Sequence, residues 1–500
     1  MMDLWNNILC LILALAIIPA IHSIMIRFKS SSYNLPPGPK PLPVIGNLHQ
    51  LGDKPHKSLS EFAKLHGPLM SLKLGQVTTI VVSSSAVAKQ VLQTHDQYLS
   101  SRTIPDAFYV HGHDSNGLPW IPVSDLWRSL RKICNTQLFA VKVLDTNQKL
   151  RRRKVNDLVE EVKKSSLSGA AVDIGSVAFT TSLNLLSNTI FSIDLADMES
   201  ELARDFKEIT WNIMKEGGAP NLSDYFPLVK KIDPLGIRRR MKIHFSRIFQ
   251  LIEGIINQRL KQRECSDSVK NADVLDTLLD IMEGNNNQIN RPQILHLLLA
   301  LFVAGTETTA AALQWAMAAL LRNPEILSKA RAELDQVVGK GNPVEESDVS
   351  RLPYLQAVIK ETLRLYASGA FLLPRKAERD VEINGFTIPK GAQILVNIWA
   401  ISRDKETWDE PELFKPERFI GSEVDVKGRN FELIPFGGGR RICPGLPLAM
   451  RMLPLTLGTL IHSFEWKLEN GLKPEEVDME DKCGITLQMA HPLRAIPSLA

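Results

Sequence analysis

The sequence predicts a mainly α-helical fold with a small β portion, of the α+β class, and three observations lead to that prediction. Most segments between residues 124 and 370 have helical patterning and are separated by Gly, Pro and Asn breaks. Residues 69–83 and 381–398 are instead rich in β-branched residues, as short strands are. The composition, 44% hydrophobic and 23% charged, is that of an average globular protein. It excludes a collagen, a coiled coil, a wholly disordered chain and a multi-span membrane protein.

Individual elements are predicted within these segments. Gly75 marks a turn between two strands, and the Asn-Gly pair at 384–385 is typical of a tight hairpin. The longest helix is expected over residues 292–322, because an Asn-Pro pair follows it and stops it. A second helix is expected over residues 355–365. The polar stretch 265–273 is expected to be a mobile loop.

The length and the charge bound the organisation of the chain. Five hundred residues would ordinarily make about three domains. Few segments look separable, however, so we expect one large body instead. The formal net charge of +4 is nearly balanced, whereas a nucleic-acid binder of this size is usually more basic. No nucleic-acid partner is therefore expected.

The N-terminus carries an apolar run over residues 8–26, which as a helix would reach roughly 28 Å, close to the thickness of a bilayer core. The positive charges of Arg27 and Lys29 follow this run, whereas a signal peptide has them before it. We therefore expect residues 1–30 to be a single uncleaved membrane anchor with the rest of the chain in the cytosol. A cleaved signal peptide is the alternative, because the Ala-Leu-Ala at 14–16 can mimic a cleavage motif.

A proline-rich stretch comes next, with five prolines between residues 36 and 43. Proline fixes φ and lacks an N–H, so this stretch is neither helix nor central strand. We expect residues 31–47 to form a stiff extended hinge. The body then spans residues 48–500.

Five cysteines are present and none forms a C-x-x-C pair, so a disulfide framework or a four-thiolate metal site has no support. Cys443 differs from the other four because it follows three consecutive glycines and two arginines and precedes a helix. The helix dipole and the adjacent charges of Arg440 and Arg441 favour a thiolate at such a place. From these residues alone, Cys443 is a nucleophile, a redox sensor, a metal ligand or a buried structural cysteine.

The pattern F-x-x-G-x-R-x-C-x-G is far more specific than its parts, and here the chain resembles the cytochrome P-450 monooxygenases. The pattern is carried by Phe436, Gly439, Arg441, Cys443 and Gly445. The resemblance implies a cytochrome P-450 fold that contains haem b. It also implies that Cys443 is the axial thiolate ligand of the haem iron, with Phe436 and Arg441 next to the cofactor.

Two further motifs match the same family. Glu361 and Arg364, at i and i+3 on the second long helix, together with Arg418 in a PERF sequence, resemble the family's E-x-x-R and PERF pair. This resemblance gives the three residues a structural role in the core on the haem side. Taken without it, Glu361 and Arg364 would be an ordinary surface ion pair.

Trp127 and Arg131 resemble the W-x-x-x-R motif whose Trp and Arg hold a haem propionate. Arginine suits this role because its planar fork binds a carboxylate in bidentate fashion. His111 and His113 lie a little earlier in the chain and are expected to be loop residues, with metal binding as the alternative.

On the long helix, Gly305 is flanked by small hydroxyl residues that can hydrogen-bond to the carbonyl four residues back. The resemblance implies that Glu307 and Thr308 are the acid–alcohol pair that relays protons during oxygen activation. Many relatives have Asp at the position of Glu307, and both side chains supply a carboxylate. A kink filled by small side chains is the alternative.

Several stretches look like plant enzymes of the geraniol 8-hydroxylase group (family 76). They are residues 40–47, 172–185, 231–240 and 389–404. One departure is that the chain has Tyr-Ala-Ser-Gly at 366–369 where the group has His-Pro-Pro. We expect this change to loosen the segment that enters the pocket above the haem.

The positions that line the pocket by resemblance are mostly apolar: Trp120, Ile121, Leu301, Ala304, Phe371, Leu372 and Ile485. Such a lining suits a terpenoid held by shape, whereas an amino-acid substrate would need partners for its charges. Any of these residues taken alone is equally consistent with plain core.

The family resemblance implies a monooxygenase of the endoplasmic reticulum membrane that hydroxylates a small lipophilic plant metabolite, most simply a monoterpenol or diterpene. The chain has no flavin or nicotinamide domain, so electrons from NADPH must come from a separate cytochrome P-450 reductase, for which Lys132 and Arg440 are candidate docking residues. The alternatives are the same chemistry on an alkaloid or a tyrosine-derived pigment precursor, an oxygen-independent haem-thiolate isomerase or dehydratase, and a non-enzymatic haem-binding protein.

Overall fold

A computed structural model describes residues 33–195, 201–264, 273–284 and 289–500. The expected anchor at 1–30 and nearly all of the expected mobile loop at 265–273 lie outside the described residues. The α-helices are α1 (Pro55–His66), α2 (Ser85–Lys89), α3 (Asp96–Leu99), α4 (His113–Asn116), α5 (Asp125–Ile133), α6 (Val141–Thr146), α7 (Gln148–Ser168), α8 (Ile174–Phe191), α9 (Glu201–Gly218), α10 (Leu222–Tyr225), α11 (Ile237–Glu264), α12 (Val274–Glu283), α13 (Arg291–Arg322), α14 (Pro324–Val337), α15 (Pro353–Leu365), α16 (Ile398–Ile401) and α17 (Leu446–Ser463).

The strands are short and form small sheets. They are β1 (Leu69–Leu74), β2 (Val77–Val82), β3 (Ser101–Arg102), β4 (Val172–Asp173), β5 (Arg375–Lys376), β6 (Val381–Ile383), β7 (Phe386–Ile388), β8 (Gln393–Val396), β9 (Phe464–Leu468), β10 (Asp481–Cys483), β11 (Leu487–Met489) and β12 (Arg494–Leu499). The largest sheet has the order β1-β2-β8-β5-β3, and a second has the order β4-β12-β9. The predicted α+β class is confirmed.

Both predicted hairpins are present. β1 and β2 pair in antiparallel fashion around Gly75, whose φ of 56° is in the left-handed region that glycine tolerates. β6 and β7 pair around Asn384 and Gly385, both with positive φ, as the two central residues of a type I′ turn require. The turn residues therefore determine where each hairpin folds back.

Helix α13 is the central element of the body, and its predicted bounds are nearly those observed. Asn290 accepts from the backbone N–H of Gln293, and Gln293 bonds back to the N–H of Asn290, which forms a capping box. The helix packs mainly against α8 and also contacts α17. Among the described residues it is long and apolar enough to cross a membrane, but 67% of its most apolar window is buried in the body. A helix that is apolar on nearly all sides is expected at the centre of a large core.

The proline-rich segment is packed on β1 where the structure describes it. Ser71 donates from its backbone N–H to the carbonyl oxygen of Pro37 at 2.9 Å and from its hydroxyl to that of Pro36 at 2.6 Å. Gly38 lies so close to β1 that a Cβ atom would be 1.9 Å from the Ser71 carbonyl oxygen. A residue larger than glycine at this position would therefore push the segment away from the sheet.

Candidate functional site

A mostly apolar cavity of about 420 Å³ lies inside the body. Its walls come from α13, from residues 368–373 after α15, and from the glycine-rich turn that precedes α17. Cys443 lies on this turn and contributes to the wall. The volume is within the usual range for small-molecule sites.

The turn around Cys443 has a shape that its glycines permit. Gly437 and Gly439 have φ of 73° and 65°, and the Cys443 backbone N–H donates to the Phe436 carbonyl oxygen at 3.0 Å. A Cβ atom on Gly439 would be 1.9 Å from the carbonyl oxygen of Leu92, so no other residue fits there. The turn thereby presents the Cys443 side chain to the cavity.

The electrostatics of Cys443 correct one expectation. Burial raises the pKa of the thiol, and the backbone N–H groups of Gly445 and Leu446 and the charge of Arg131 oppose that rise without cancelling it. The sequence neighbours Arg440 and Arg441 are not the charges that act on the thiol, because folding turns both side chains toward other partners. A bound metal cation would supply the missing stabilisation of the thiolate.

Four guanidinium groups surround the same end of the cavity. Arg102, Arg131, Arg375 and Arg441 all line it, and burial lowers the pKa of each, that of Arg441 to about 10. Within the described part of the chain, Asp96 is the carboxylate in ion-pair contact with one of them, at 2.8 Å from Arg375. This end of the cavity therefore carries an excess of positive charge that is partly or wholly removed from water.

Arg441 is oriented by main-chain carbonyl groups. It donates to the carbonyl oxygens of Ser100 at 3.0 Å, Leu118 at 3.3 Å and Ile121 at 2.5 Å, and it lies 5.0 Å from the ring of Trp127. Ile121 is thus a correction: its side chain is buried outside the cavity lining, and its carbonyl group positions Arg441.

Glu361, Arg364 and Arg418 come together in the core. Arg364 donates to both carboxylate oxygens of Glu361, at 2.7 and 2.8 Å, and Arg418 donates to one of them at 3.1 Å. Arg364 also donates to the carbonyl oxygen of Pro411 at 2.8 Å. The side chains of Glu361 and Arg364 are fully buried, so this pair is not an ordinary surface ion pair. Its hydrogen bonds compensate the cost of burying charge.

The hydroxyl groups on α13 bond back along the helix, as the sequence predicts. Thr306, Thr308 and Thr309 each donate to the carbonyl oxygen four residues earlier, at 2.8, 2.7 and 3.0 Å. Thr308 lines the cavity, whereas Thr306 is fully buried outside it.

Glu307 is buried beside the cavity without lining it, because its carboxylate turns toward the hairpin of β10 and β11. There Gln488 donates a hydrogen bond to Glu307 Oε1. Burial raises the pKa of Glu307 to about 7, although the Gln488 amide opposes the rise. Glu307 and Thr308 are sequence neighbours, but they face different surroundings.

The segment at 366–369, which we expected to be loosened, makes several contacts. Tyr366 stacks on Trp315 with ring centroids 4.5 Å apart and an interplanar angle of 3°. Ser368 donates from its hydroxyl to the Thr308 carbonyl oxygen at 3.0 Å, and its own backbone carbonyl oxygen accepts from the Leu487 N–H at 2.6 Å. Aromatic stacking and hydrogen bonds therefore hold a segment that lacks the prolines of its relatives.

Six of the seven residues expected to line a substrate pocket lie in this cavity wall: Trp120, Leu301, Ala304, Phe371, Leu372 and Ile485. His113 also lines the cavity, which corrects its expected place in a loop. It is the first residue of α4, and its Nδ1 lies 2.9 Å from Nδ1 of His296 on α13.

Sequence reasoning missed Arg102, Arg375, His296 and Gln488. Arg375 has a weak sequence signal, because this charged residue directly follows the apolar run 371–373 and a proline. The other three sit among apolar or polar neighbours like many surface residues, and only the folded chain brings them to the cavity or to Glu307.

A cysteine thiol in the wall of an apolar cavity, with buried guanidinium groups around it, defines a haem-thiolate protein of mainly α fold. The chain belongs to the cytochrome P450 family, whose model matches residues 36–492. It is 55% identical to a geraniol 8-hydroxylase of Catharanthus roseus over 99% of this chain and 100% of that protein. It is 56% identical to the geraniol 8-hydroxylase of Swertia mussotii over 94% of each chain. It is 51% identical to a drimenol monooxygenase of Persicaria hydropiper over 94% of this chain and 93% of that one. The predicted resemblance is confirmed, and the protein is a monooxygenase of this family.

The residues at the charged end fit the haem that the family implies. Haem b carries two propionate groups. The four guanidiniums, that of Arg375 buried and the other three half-buried, face one paired carboxylate and need such negative charge. Arg375 Nε, moreover, is buried without a hydrogen-bond partner in the described part of the chain. The cavity therefore offers a thiol for the iron and cations for the propionates.

Proposed function

We propose that this protein hydroxylates a small lipophilic plant metabolite, a terpenoid such as a monoterpenol or diterpene, with O2 and with electrons that a separate reductase delivers from NADPH. The observation that carries the proposal is the cavity itself. It extends from Cys443 past Thr308 to His113, and most of its wall is apolar. An apolar wall with few polar groups holds a lipophilic molecule by shape.

Each residue at the charged end has a role in this proposal. Cys443 holds the haem iron, and Trp127, Arg131 and Arg441 hold the propionates beside Phe436. Haem bound through a thiolate activates dioxygen for insertion of one oxygen atom into a C–H bond. The cluster of Glu361, Arg364 and Arg418 keeps the underlying core rigid and does not touch the reacting atoms.

Glu307 and Thr308 supply protons in this proposal. A carboxyl group with a pKa near 7 is close to half protonated at neutral pH, which is the best setting for a general acid. Thr308 presents its hydroxyl to the cavity and can exchange its bond to the Ala304 carbonyl oxygen for one to a reacting group. Glu307 thus lies on the side of α13 that faces the β10–β11 hairpin, and Thr308 lies on the side that faces the cavity.

The terpenoid class is supported by the relatives and by the distribution of charge. Similar proteins are named for geraniol, geranylhydroquinone and drimenol. A tyrosine-derived pigment precursor would bring an ammonium and a carboxylate into the cavity. The described charges that line the cavity are arginines beside Cys443, which the propionates would occupy, so such a substrate would lack partners. An alkaloid is the second candidate substrate, since it can be apolar apart from a single amine.

An oxygen-independent isomerase or dehydratase is disfavoured by the acid–alcohol pair, which such enzymes do not need. A non-enzymatic haem carrier is disfavoured for the same reason and by the cavity next to the thiol.

The proposed reductase surface includes Lys132 and Arg440. Both are exposed, and Arg440 pairs with Asp96 only at 3.5 Å, so most of its charge remains available. Neutralising both should weaken the affinity for the reductase and the weakening should diminish at high salt. An unchanged affinity for the reductase would show that Lys132 and Arg440 do not belong to the docking surface.

We propose further that residues 1–30 anchor the protein in the endoplasmic reticulum membrane, that 31–47 form the hinge, and that 48–500 form the cytosolic haem-thiolate domain. A chain that begins at residue 31 should leave the microsomal pellet after a carbonate wash, whereas the full chain should stay. Full retention of the shortened chain would show that other surfaces hold it.

The central experiment uses microsomes that contain the full chain and a plant reductase, supplied with NADPH and a panel of terpenols, diterpenes and alkaloids. We expect hydroxylated terpenoid products identified by mass spectrometry and NMR. Turnover confined to the alkaloids would overturn the substrate class, and products formed without O2 would overturn the reaction.

A further inference from the structure

The two histidines at the end of the cavity away from Cys443 form a pair with a defined arrangement of protons. His113 on α4 and His296 on α13 are 4% and 2% exposed, and their Nδ1 atoms are 2.9 Å apart. His296 precedes Thr308 by roughly three turns of α13. His113 lines the cavity, so one member of the pair faces the substrate.

The contacts of His296 determine its tautomer. Its Nε2 lies 3.1 Å from the carbonyl oxygen of His111, which can only accept, so Nε2 carries a hydrogen. Burial lowers the pKa of His296 to about 4, and a neutral ring has only one N–H. Nδ1 of His296 is therefore a bare acceptor.

The tautomer of His113 follows from that of its partner. A contact between two nitrogen atoms needs one hydrogen, and since His296 Nδ1 has none, His113 Nδ1 must donate it. Burial, with a smaller contribution from the neighbouring imidazole of His296, lowers the pKa of His113 to about 3, so this ring is neutral too. Nε2 of His113 is then an unprotonated acceptor, and no other described residue hydrogen-bonds to it.

The surroundings of this acceptor are apolar. The rings of Phe108 and Phe245 lie 5.9 and 5.0 Å from that of His113, and Phe249 lies 4.9 Å from that of His296. A lone acceptor among phenyl rings makes a strong hydrogen bond and rejects molecules that offer no donor, because water is largely excluded.

We propose that His113 Nε2 is a specificity site that accepts a hydrogen bond from a hydroxyl group of the substrate, with His296 as the positioning residue that fixes its tautomer. The proposal rests on the proposed function and sharpens it from terpenoids to terpenoid alcohols. Geraniol bears its hydroxyl on C1, at the opposite end of the chain from C8, so an acceptor remote from Cys443 suits an alcohol oxidised at its far end.

The test measures dissociation constants from the substrate-induced shift of the haem absorption band, with geraniol and with geranyl methyl ether, which has no donor. The native enzyme should bind geraniol at least tenfold more tightly than the ether. His113→Phe should abolish that preference while the ether binds as before. An unchanged preference would overturn the proposal.

His296→Phe tests the tautomer itself. Without its acceptor, His113 can move the hydrogen to Nε2 and become a donor, so the preference should pass from geraniol to the aldehyde geranial. A retained preference for geraniol would contradict the assigned positioning role. Phe249→Leu is the packing control. It should weaken the binding of geraniol, its methyl ether and geranial by the same factor. The thiolate-specific band of the reduced carbon-monoxide complex verifies that each variant is folded and loaded with haem.

The two levels of the proposal fail differently. If the native enzyme neither shifts its spectrum nor forms product with any terpenoid, the proposed function fails. If it hydroxylates geraniol and His113→Phe keeps the preference for the alcohol over the ether, only the role of His113 fails.

Discussion

The two ends of the cavity are built on opposite electrostatic principles. At the end near Cys443, one buried and three half-buried guanidiniums face one paired carboxylate, and removal from water lowers the pKa of all four. At the other end, His113 and His296 are neutral and are packed among phenyl rings. The first arrangement is unfavourable until an anion arrives, whereas the second carries no net charge and lacks only a hydrogen-bond donor for His113 Nε2.

Under the two proposals above, this difference separates the part of the site that binds the cofactor from the part that selects the substrate. Buried cations without partners cost free energy, which an anionic cofactor recovers when it binds. Neutral groups carry no such demand, so the substrate end can change its polar contacts without loss of the haem. The predictions below alter one end at a time, in order of decreasing expected effect.

The largest effect is expected at the thiol. Cys443→Ser should eliminate the thiolate-specific band of the reduced carbon-monoxide complex and all turnover, because an alcohol does not replace the thiolate ligand. Cys483→Ser is the matched control, since Cys483 lies on β10 outside the cavity lining, and its spectrum should be that of the native enzyme. A native spectrum for Cys443→Ser would refute the ligand assignment.

The next effect is expected among the arginines. Arg441→Leu should accelerate the transfer of haem to apomyoglobin by about tenfold to a hundredfold, since a charged hydrogen bond to a propionate contributes about 1.5–3 kcal/mol. Arg440→Leu removes the adjacent charge, which is exposed and outside the lining, and should leave haem transfer unchanged. Equal rates of haem transfer for both variants would mean that the total positive charge retains the haem, and not the specific hydrogen bonds of the Arg441 guanidinium.

The charged end was also the more predictable end from sequence. Cys443, Arg441 and Trp127 belong to local motifs, and the hairpin at Asn384 has a turn signal of its own. Arg102 and Arg375 escaped because adjacent strands β3 and β5 bring them together across more than two hundred residues. A motif has a fixed spacing along the sequence and can be recognised from it. A contact between distant elements has no fixed spacing, so the sequence alone does not reveal it.

The neutral end shows the same limit more sharply. His113 was expected to be a loop residue, and His296 was hidden inside the apolar run of α13. The family resemblance predicts an acid–alcohol pair of Glu307 and Thr308, but it gives no sign of Gln488, the hydrogen-bond partner of Glu307 on a hairpin 181 residues away. Hydrogen bonds that set a tautomer or a pKa depend on the folded arrangement and not on the order of residues.

Between the two ends, Thr308→Ala should uncouple the enzyme. Loss of the hydroxyl interrupts proton delivery, so NADPH consumption should continue while the yield of product per NADPH falls by about one order of magnitude or more. Thr306→Ala is the matched control, because Thr306 makes the same back-bond at 2.8 Å but is buried outside the cavity. Full coupling in Thr308→Ala would count against the relay.

The smallest effect is expected in the pH dependence of coupling. Burial raises the pKa of Glu307 to about 7 and the Gln488 amide opposes the rise. The protonated acid is the donor, so coupling should decline as the pH increases through about 7, which gives the pH profile a descending limb. Glu307→Gln should remove that limb and lower the yield of product per NADPH at every pH. Gln488→Leu deletes the hydrogen bond that favours the carboxylate, which raises the pKa of Glu307 further and should move the limb to higher pH.

Gln488→Glu should raise the pKa of Glu307 by a different cause, because it places a second carboxyl group beside the first and the two like charges repel. A limb that keeps its position in both Gln488 variants would show that another group titrates, and the comparison of the cavity ends would then need a second acid between them.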